Sequence, residues 1–382
     1  VTIAERAPEK GTPEKSSPEQ RTLDAKFSNP MAKLLLARQW ENQHLVAVDP
    51  SGPSLAAVRM LAKTFVRPNI EGIEVKAPIF ILGTPRCGST MMQEILSCHD
   101  RVAYFTMAMD QFQDPKLFRA VDWSQRAFGL DVRGERYLQD SIMVDSNSPS
   151  EAMRFWGEVL RMDPFGFAFN PLRKTDLTAD ELDRIYTTLR HVISVSIKRG
   201  GDRFLNKSPA LVGQPLLIRD LFPDAKFIHL VRDGRMVANS MLKLYKLQRA
   251  QDIKVNHPVF NKDNPFVPYP RVPGLEAAVQ QWGLEDVRTT ATVWDSAVKY
   301  VNSVKSEMAN FYELRYEDFC ANPRVELSKL FDFCELPTPG AGAAAVEEKL
   351  RNVGVVRHKN SYGDFDVVEQ IAGESLRQYG YL

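Results

Sequence analysis

The chain has 382 residues, 44% of them hydrophobic and 25% charged, with a formal net charge of +1. This is enough apolar material for one large core, or one domain with additions, and too little net charge to draw the protein generally toward nucleic acid or membrane. No apolar run approaches the ~20 residues a bilayer span needs and no signal-peptide core is present, so the expected location is cytoplasmic, with an anchor upstream of Val1 left open. Cys87, Cys98, Cys320 and Cys334 lack framework spacing and read as reduced thiols.

Residues 1–26 are rich in Glu, Lys, Pro and Ser and read as a disordered tail. Residues 27–76 read as a helical N-terminal extension: Met31 to Val48 and Ser54 to Val66 carry apolar side chains at helical spacing, among them Leu34, Leu35 and Leu45, then Leu55, Val58, Leu61, Ala62 and Phe65. Residues 77–382 read as a single α/β domain. It opens with the apolar run Ile79-Phe80-Ile81-Leu82, followed directly by Gly83-Thr84-Pro85-Arg86-Cys87-Gly88-Ser89-Thr90 and a helix-like stretch, Met91 to Ser97. A strand, a glycine turn and a helix N-terminus bring free backbone N–H groups to one spot, where the helix dipole adds partial positive charge, so this segment is an anion cradle. Its glycine spacing is that of the nucleotide P-loop, but Ser89 stands at the lysine position and the cation lies inside the loop as Arg86. A cation here opposes the helix dipole, so Arg86 is expected to serve a ligand rather than the helix. His99, beside Asp100 where that helix runs out, is expected to be a helix-ending residue rather than a base.

Residues 110–200 read as mostly helical, with Phe155, Trp156, Phe165, Phe167 and Phe169 either flanking a cleft or filling a core. Within them, Ser148-Pro149-Ser150-Glu151 has the spacing of a capping box opening a helix over Ser150 to Leu160. A strand at Phe204 to Asn206 ends on Lys207, which suits either a cleft cation or a lysine guarding a sheet edge. A further strand, Phe227 to Val231, leads into Arg232, a turn at Asp233-Gly234 and a helix carrying Ser240. The guanidinium fork and the hydroxyl suit a second phosphate. Residues 252–274 hold five prolines and read as a long irregular loop, either a lid or a surface excursion. The last strand is Phe311 to Tyr316. Alternation of strands and helices predicts a parallel sheet covered on both faces, with ligands at the carboxyl ends of the strands.

The loop GTPRCGST, the run Asn206-Lys207-Ser208-Pro209, the pair Arg232 and Ser240, and Leu314-Arg315-Tyr316-Glu317-Asp318-Phe319 occur in that order, and together they resemble the PAPS-dependent sulfotransferases (PAPS is 3′-phosphoadenosine 5′-phosphosulfate) over roughly residues 77 to 335. Arginine rather than lysine in the loop is similar to the bacterial and tyrosylprotein-type branch. The resemblance implies a P-loop-like three-layer fold and transfer of a sulfuryl group from PAPS to a hydroxyl, or less readily an amine, by in-line displacement without a metal. It implies that Pro85, Arg86, Cys87, Gly88, Ser89 and Thr90 bind the 5′-phosphosulfate and that Arg232 and Ser240 bind the 3′-phosphate. Tyr316 would then contact the adenine, while Arg357 and Lys359, on either side of His358, would close over the 3′-phosphate; a solvated charge run explains these last residues equally well. Arg86 and Lys207 become the catalytic cations.

The base is less direct. Cytosolic relatives place a histidine two residues after the equivalent lysine, where this chain has Pro209. Glu151 is the candidate, since bacterial relatives carry an acidic residue in that segment on the acceptor side, and its capping role stands beside this reading. Tyrosylprotein-type enzymes place the base soon after the 5′ loop, where only Asp110 could serve. The acceptor is expected to be a small, lipid-like or aromatic alcohol, with no nucleic-acid partner. The competing readings are a P-loop kinase or NTPase, which would want lysine at Ser89 and a Walker B carboxylate, and a non-catalytic nucleotide-binding protein, which would not need Arg86 and Lys207.

Overall fold

The computed structural model describes residues 26–41, 52–66, 69–135, 143–250, 267, 269–354 and 363–382. Strand β1 (Lys26–Phe27) and helices α1 (Pro30–Glu41) and α2 (Gly52–Thr64) precede the first strand of the main sheet, β2 (Ile79–Leu82), and its helix α3 (Ser89–Ser97). Then follow β3 (Val102–Ala103), α4 (Met107–Phe112), α5 (Phe118–Phe128), β4 (Val132–Glu135), β5 (Met143–Val144), α6 (Met153–Val159), α7 (Ala179–Ser196) and β6 (Arg203–Lys207). The chain continues with α8 (Pro215–Leu221), β7 (Lys226–Val231), α9 (Gly234–Ala250), α10 (Leu275–Trp282), α11 (Val287–Val304), β8 (Phe311–Arg315), α12 (Tyr316–Ala321), α13 (Pro323–Phe333), α14 (Ala343–Arg351) and α15 (Phe365–Gln378).

Five of these strands form one sheet in the order β3-β6-β2-β7-β8, with every pairing parallel. Strands β2, β6 and β7 are buried along their whole length, as expected of a parallel sheet covered on both faces. Phe80 at the centre packs against Phe204, Phe222, Phe227 and Trp156 with ring centroids 6.0 to 6.4 Å apart. Helices α9, α11 and α15 pack on one another, while α3 and α7 lie against β6 and β3. The fold is therefore the α/β architecture expected from the alternating pattern.

The chain order reverses across β2: β6 pairs on one side and β7 on the other. Such a switch point leaves a crevice beyond the carboxyl ends of the strands, where the loop after β2, the end of β6, the turn after β7 and the start of α12 after β8 all emerge.

Three features were not expected. Lys26 is not part of a tail but pairs in β1 with Arg133, and β1, β4 and β5 form a small antiparallel sheet. The helix bearing Phe155 and Trp156 begins at Met153 rather than Ser150, because Ala152 adopts a left-handed conformation (φ 51°) as its N-cap. Trp156 is fully buried and belongs to the core. Residues 1–25 of the expected tail, most of the proline-rich loop, and Arg357 and Lys359 lie outside the described residues. Where the proline-rich segment is described it is anchored: Tyr269 and Val272 are buried, and Tyr269 Oη donates to Leu284 O at 3.2 Å. Among the described residues no helix is long and apolar enough to cross a membrane.

Candidate active site

The turn between β2 and α3 is shaped by two residues in left-handed backbone, Arg86 (φ 72°) and Gly88 (φ 97°). Arginine in this region costs on the order of 1 kcal/mol or more, a strain that persists only where the surroundings hold it. Gly88 is required for a second reason: a Cβ there would stand 2.7 Å from Tyr316 Cε2 and closer still to Cδ2. Cys87 points back into the core, its Sγ lying 2.6 Å from where a Gly83 Cβ would be, and its backbone N–H donates to Thr84 O at 3.3 Å, closing the turn. Burial raises the Cys87 thiol pKa above its ordinary value, with hydrogen bonds from Ser89 opposing the shift.

On one side of this loop lies β6. Its register with β2 sets Lys207 opposite Ile81, one residue before the end of β2, and the side chain, only 2% exposed, runs back toward α3. Lys207 Nζ donates to Thr90 Oγ1 at 3.1 Å and forms a close ion pair with Glu151 Oε1. The Lys207 ammonium thus reaches the start of α3 from the neighbouring strand. Next to it, Asn206 is fully buried and accepts from Trp156 Nε1 at 2.8 Å, which ties β6 to α6.

On the other side lies β7. Arg86 Nε donates to Ser240 Oγ on α9 at 3.0 Å, and Arg232 Nη1 donates to the Arg86 carbonyl at 3.1 Å. The Arg232 guanidinium lies over the Tyr316 ring at 4.4 Å, so Arg86, Arg232, Ser240 and Tyr316 form one cluster beyond β2, β7 and β8. Burial, then a hydrogen bond with Cys320, pushes the Tyr316 hydroxyl up to about 12, so it stays protonated. Two supports went unseen in the sequence. Trp294 Nε1 on α11 donates to Arg232 O at 3.1 Å while its ring underlies Gly234, and Glu317 accepts from the Asp233 N–H and from Tyr381 Oη.

Glu151 is not a cap. Ser148 Oγ bonds within its own turn to Asp145, and Glu151 precedes the helix and turns toward Lys207. His99 follows the helix C-cap, Cys98, but its ring does not serve the helix end as expected: it hydrogen-bonds Pro337 O at 2.7 Å and accepts from the Arg101 N–H, in contact with Phe331. Pro85 lies in the turn after β2, and Ser89 and Thr90 open α3.

The profile of the sulfotransferase family matches residues 78–257, which run from β2 through the cradle, Lys207, Arg232 and Ser240. Over this stretch, a little under half of the chain, the sequence matches the sulfotransferase family. The chain is 25% identical over 338 residues to the omega-hydroxy-beta-dihydromenaquinone-9 sulfotransferase Stf3 of Mycobacterium bovis, a match covering 83% of this chain and 78% of the relative. It is 19% identical over 171 residues to protein-tyrosine sulfotransferase A of Caenorhabditis elegans, covering 44% of this chain and 37% of that one. Among solved structures, sulfotransferase STF9 from Mycobacterium avium superposes with a TM-score of 0.52 at 16% identity, covering 96% of this chain and 88% of that chain, a likeness of fold.

Proposed function

We propose that this sulfotransferase moves the sulfuryl group of PAPS to the hydroxyl of an apolar, lipid-like acceptor. The observation that carries the reading is Lys207: a buried ammonium held between Thr90, in the anion cradle, and the carboxylate of Glu151. A cation and a general base at the same point beside an anion site are what in-line group transfer to an alcohol requires.

In this reading the backbone N–H groups of Gly88, Ser89 and Thr90 at the start of α3 hold the 5′-phosphosulfate, and Arg86 and Lys207 carry the charge that develops on the sulfuryl and leaving oxygens. Arg232, Ser240 and Tyr316 serve the adenosine 3′-phosphate end, with Trp294 fixing the Arg232 backbone. Glu151 accepts the acceptor hydroxyl proton as the new O–S bond forms and the bond to the bridging phosphate oxygen breaks. Arg86 bonds Ser240 directly, so the two phosphate sites are adjacent and one ligand with phosphates at both ends would engage both.

The lipid-like class of acceptor is supported by the Mycobacterium bovis relative, whose name specifies a hydroxylated menaquinone. The test supplies labelled PAPS with a prenylated quinol alcohol, a tyrosine peptide and a simple sugar as parallel acceptors. Transfer to the prenylated alcohol at 10-fold or greater kcat/KM over the others is expected; preference for the peptide or sugar would overturn the acceptor class and leave the transfer reading intact.

A further inference from the structure

Resting on the reading of Glu151 as the base, we infer that Asp110 is its positioning residue, acting through the hydroxyl of Ser150. Glu151 sits in a turn closed by the left-handed Ala152, a conformation a non-glycine residue keeps only when its neighbours impose it. The neighbours are visible. The Ser150 N–H donates to Phe105 O at 2.7 Å, Gln93 Nε2 donates to Ser150 O at 3.2 Å, and Ser150 Oγ accepts from the Ala152 N–H at 3.1 Å. Having accepted that bond, the hydroxyl directs its own proton to Asp110 Oδ2 at 2.9 Å. The orientation of Ser150, and through it the Ala152 turn, therefore depends on Asp110 presenting an acceptor. Gln93 lies on α3 one turn after Thr90, so the same helix that contributes to the cradle also grips the Glu151 turn.

The carboxyl of Asp110 is pushed up to about 6, chiefly by burial; the Ser150 bond and Arg154 on α6 oppose the shift and Glu151 adds to it. Ionised, Asp110 is acceptor-only and holds the Ser150 proton. Protonated, it becomes a donor toward the same hydroxyl and competes with the arrangement that holds the turn. Turnover should thus fall as acid protonates Asp110, even though Asp110 itself touches no substrate.

The experiment measures kcat against pH, with the dissociation constant of adenosine 3′,5′-bisphosphate, for Asp110→Asn, Asp110→Ala, Ser150→Ala and Glu151→Gln. Asn presents one acceptor and one donor, as the protonated carboxyl does, and cannot titrate, so Asp110→Asn is expected to hold kcat near the lowered acid-limb level across the range and to lose the part of the acid limb centred near 6. Asp110→Ala and Ser150→Ala are expected to lower kcat by on the order of 10²-fold, the scale for misplaced catalytic groups, with product affinity unchanged. An Asp110→Asn profile with the wild-type acid limb overturns the coupling, and does so even if Asp110→Ala fails to fold. Wild-type kcat in Ser150→Ala overturns the relay. Full activity in Glu151→Gln removes the base on which the inference rests, and is distinguishable because it leaves the Asp110 variants' fold and binding untouched.

Discussion

Removing either partner of the Lys207–Glu151 pair should cost unequal stability, because the two groups are unequally buried. Lys207 is 2% exposed and Glu151 34%. In Glu151→Ala the ammonium remains out of water with the neutral Thr90 Oγ1 as a partner, and stranding a buried charge typically costs ~3–5 kcal/mol. Water reaching the cavity left by the partly exposed glutamate lowers that figure, so about 3 kcal/mol is expected. In Lys207→Met an apolar chain of similar length fills the same channel, and the carboxylate left behind turns to solvent. Its cost should be about 1 kcal/mol or less, since replacing buried charge with well-packed apolar volume is often near neutral. Both variants should lose turnover by on the order of 10². Urea unfolding near neutral pH, with m checked for constancy, reads the asymmetry. A Lys207→Met loss equal to or larger than that of Glu151→Ala would refute the reasoning, because it would mean the lysine stabilises the fold outright rather than being held at a cost for the site.

Gly88→Ala forces a Cβ into the Tyr316 ring and an alanine into left-handed backbone, so it should weaken bisphosphate binding by about 10-fold or more as the ring leaves Arg232; calorimetric titration checks this. Arg232→Ala should cost about 1.5–3 kcal/mol in bisphosphate affinity, the range for a lost charged hydrogen-bond partner, with turnover at saturating PAPS less affected. Asp110 should also mark the stability profile: its folded pKa lies above the ordinary carboxylate value, so its contribution is full below the unfolded pKa and is lost as pH rises through about 6. Asp110→Asn should therefore raise the melting temperature relative to wild type above pH 6 and lose that advantage near pH 4, read by calorimetry across the pH range.

The sheet and the cradle were legible because they are local. Ile79 to Leu82 is a short apolar run bounded by glycine, and every later strand that reaches the crevice is a similar run followed by a charged or turn residue, so these strands and their carboxyl ends could be anticipated, though not their order. Arg86, Arg232 and Ser240 were recognisable by type and spacing, but their meeting was not, since Arg86 reaches Ser240 only by adopting a left-handed backbone. Glu151 shows the limit most sharply. Ser148-Pro149-Ser150-Glu151 has a helix-start spacing, yet contacts from Gln93 and Asp110, both distant in sequence, hold Ser150 in a turn that delays the helix to Met153 and sends the glutamate to Lys207. Trp294, which seats Arg232, and the small sheet of β1, β4 and β5 carried no periodic signal, the latter because its strands are only two to four residues long.

The central claim is a cradle and an arginine cluster built for one ligand with phosphates at both ends. Titration calorimetry of the intact chain with adenosine 3′,5′-bisphosphate in EDTA, against ATP with magnesium, tests it most directly. Micromolar binding of the bisphosphate, lost in Arg232→Ala, is the predicted result; preference for magnesium–ATP with no bisphosphate binding would contradict the account.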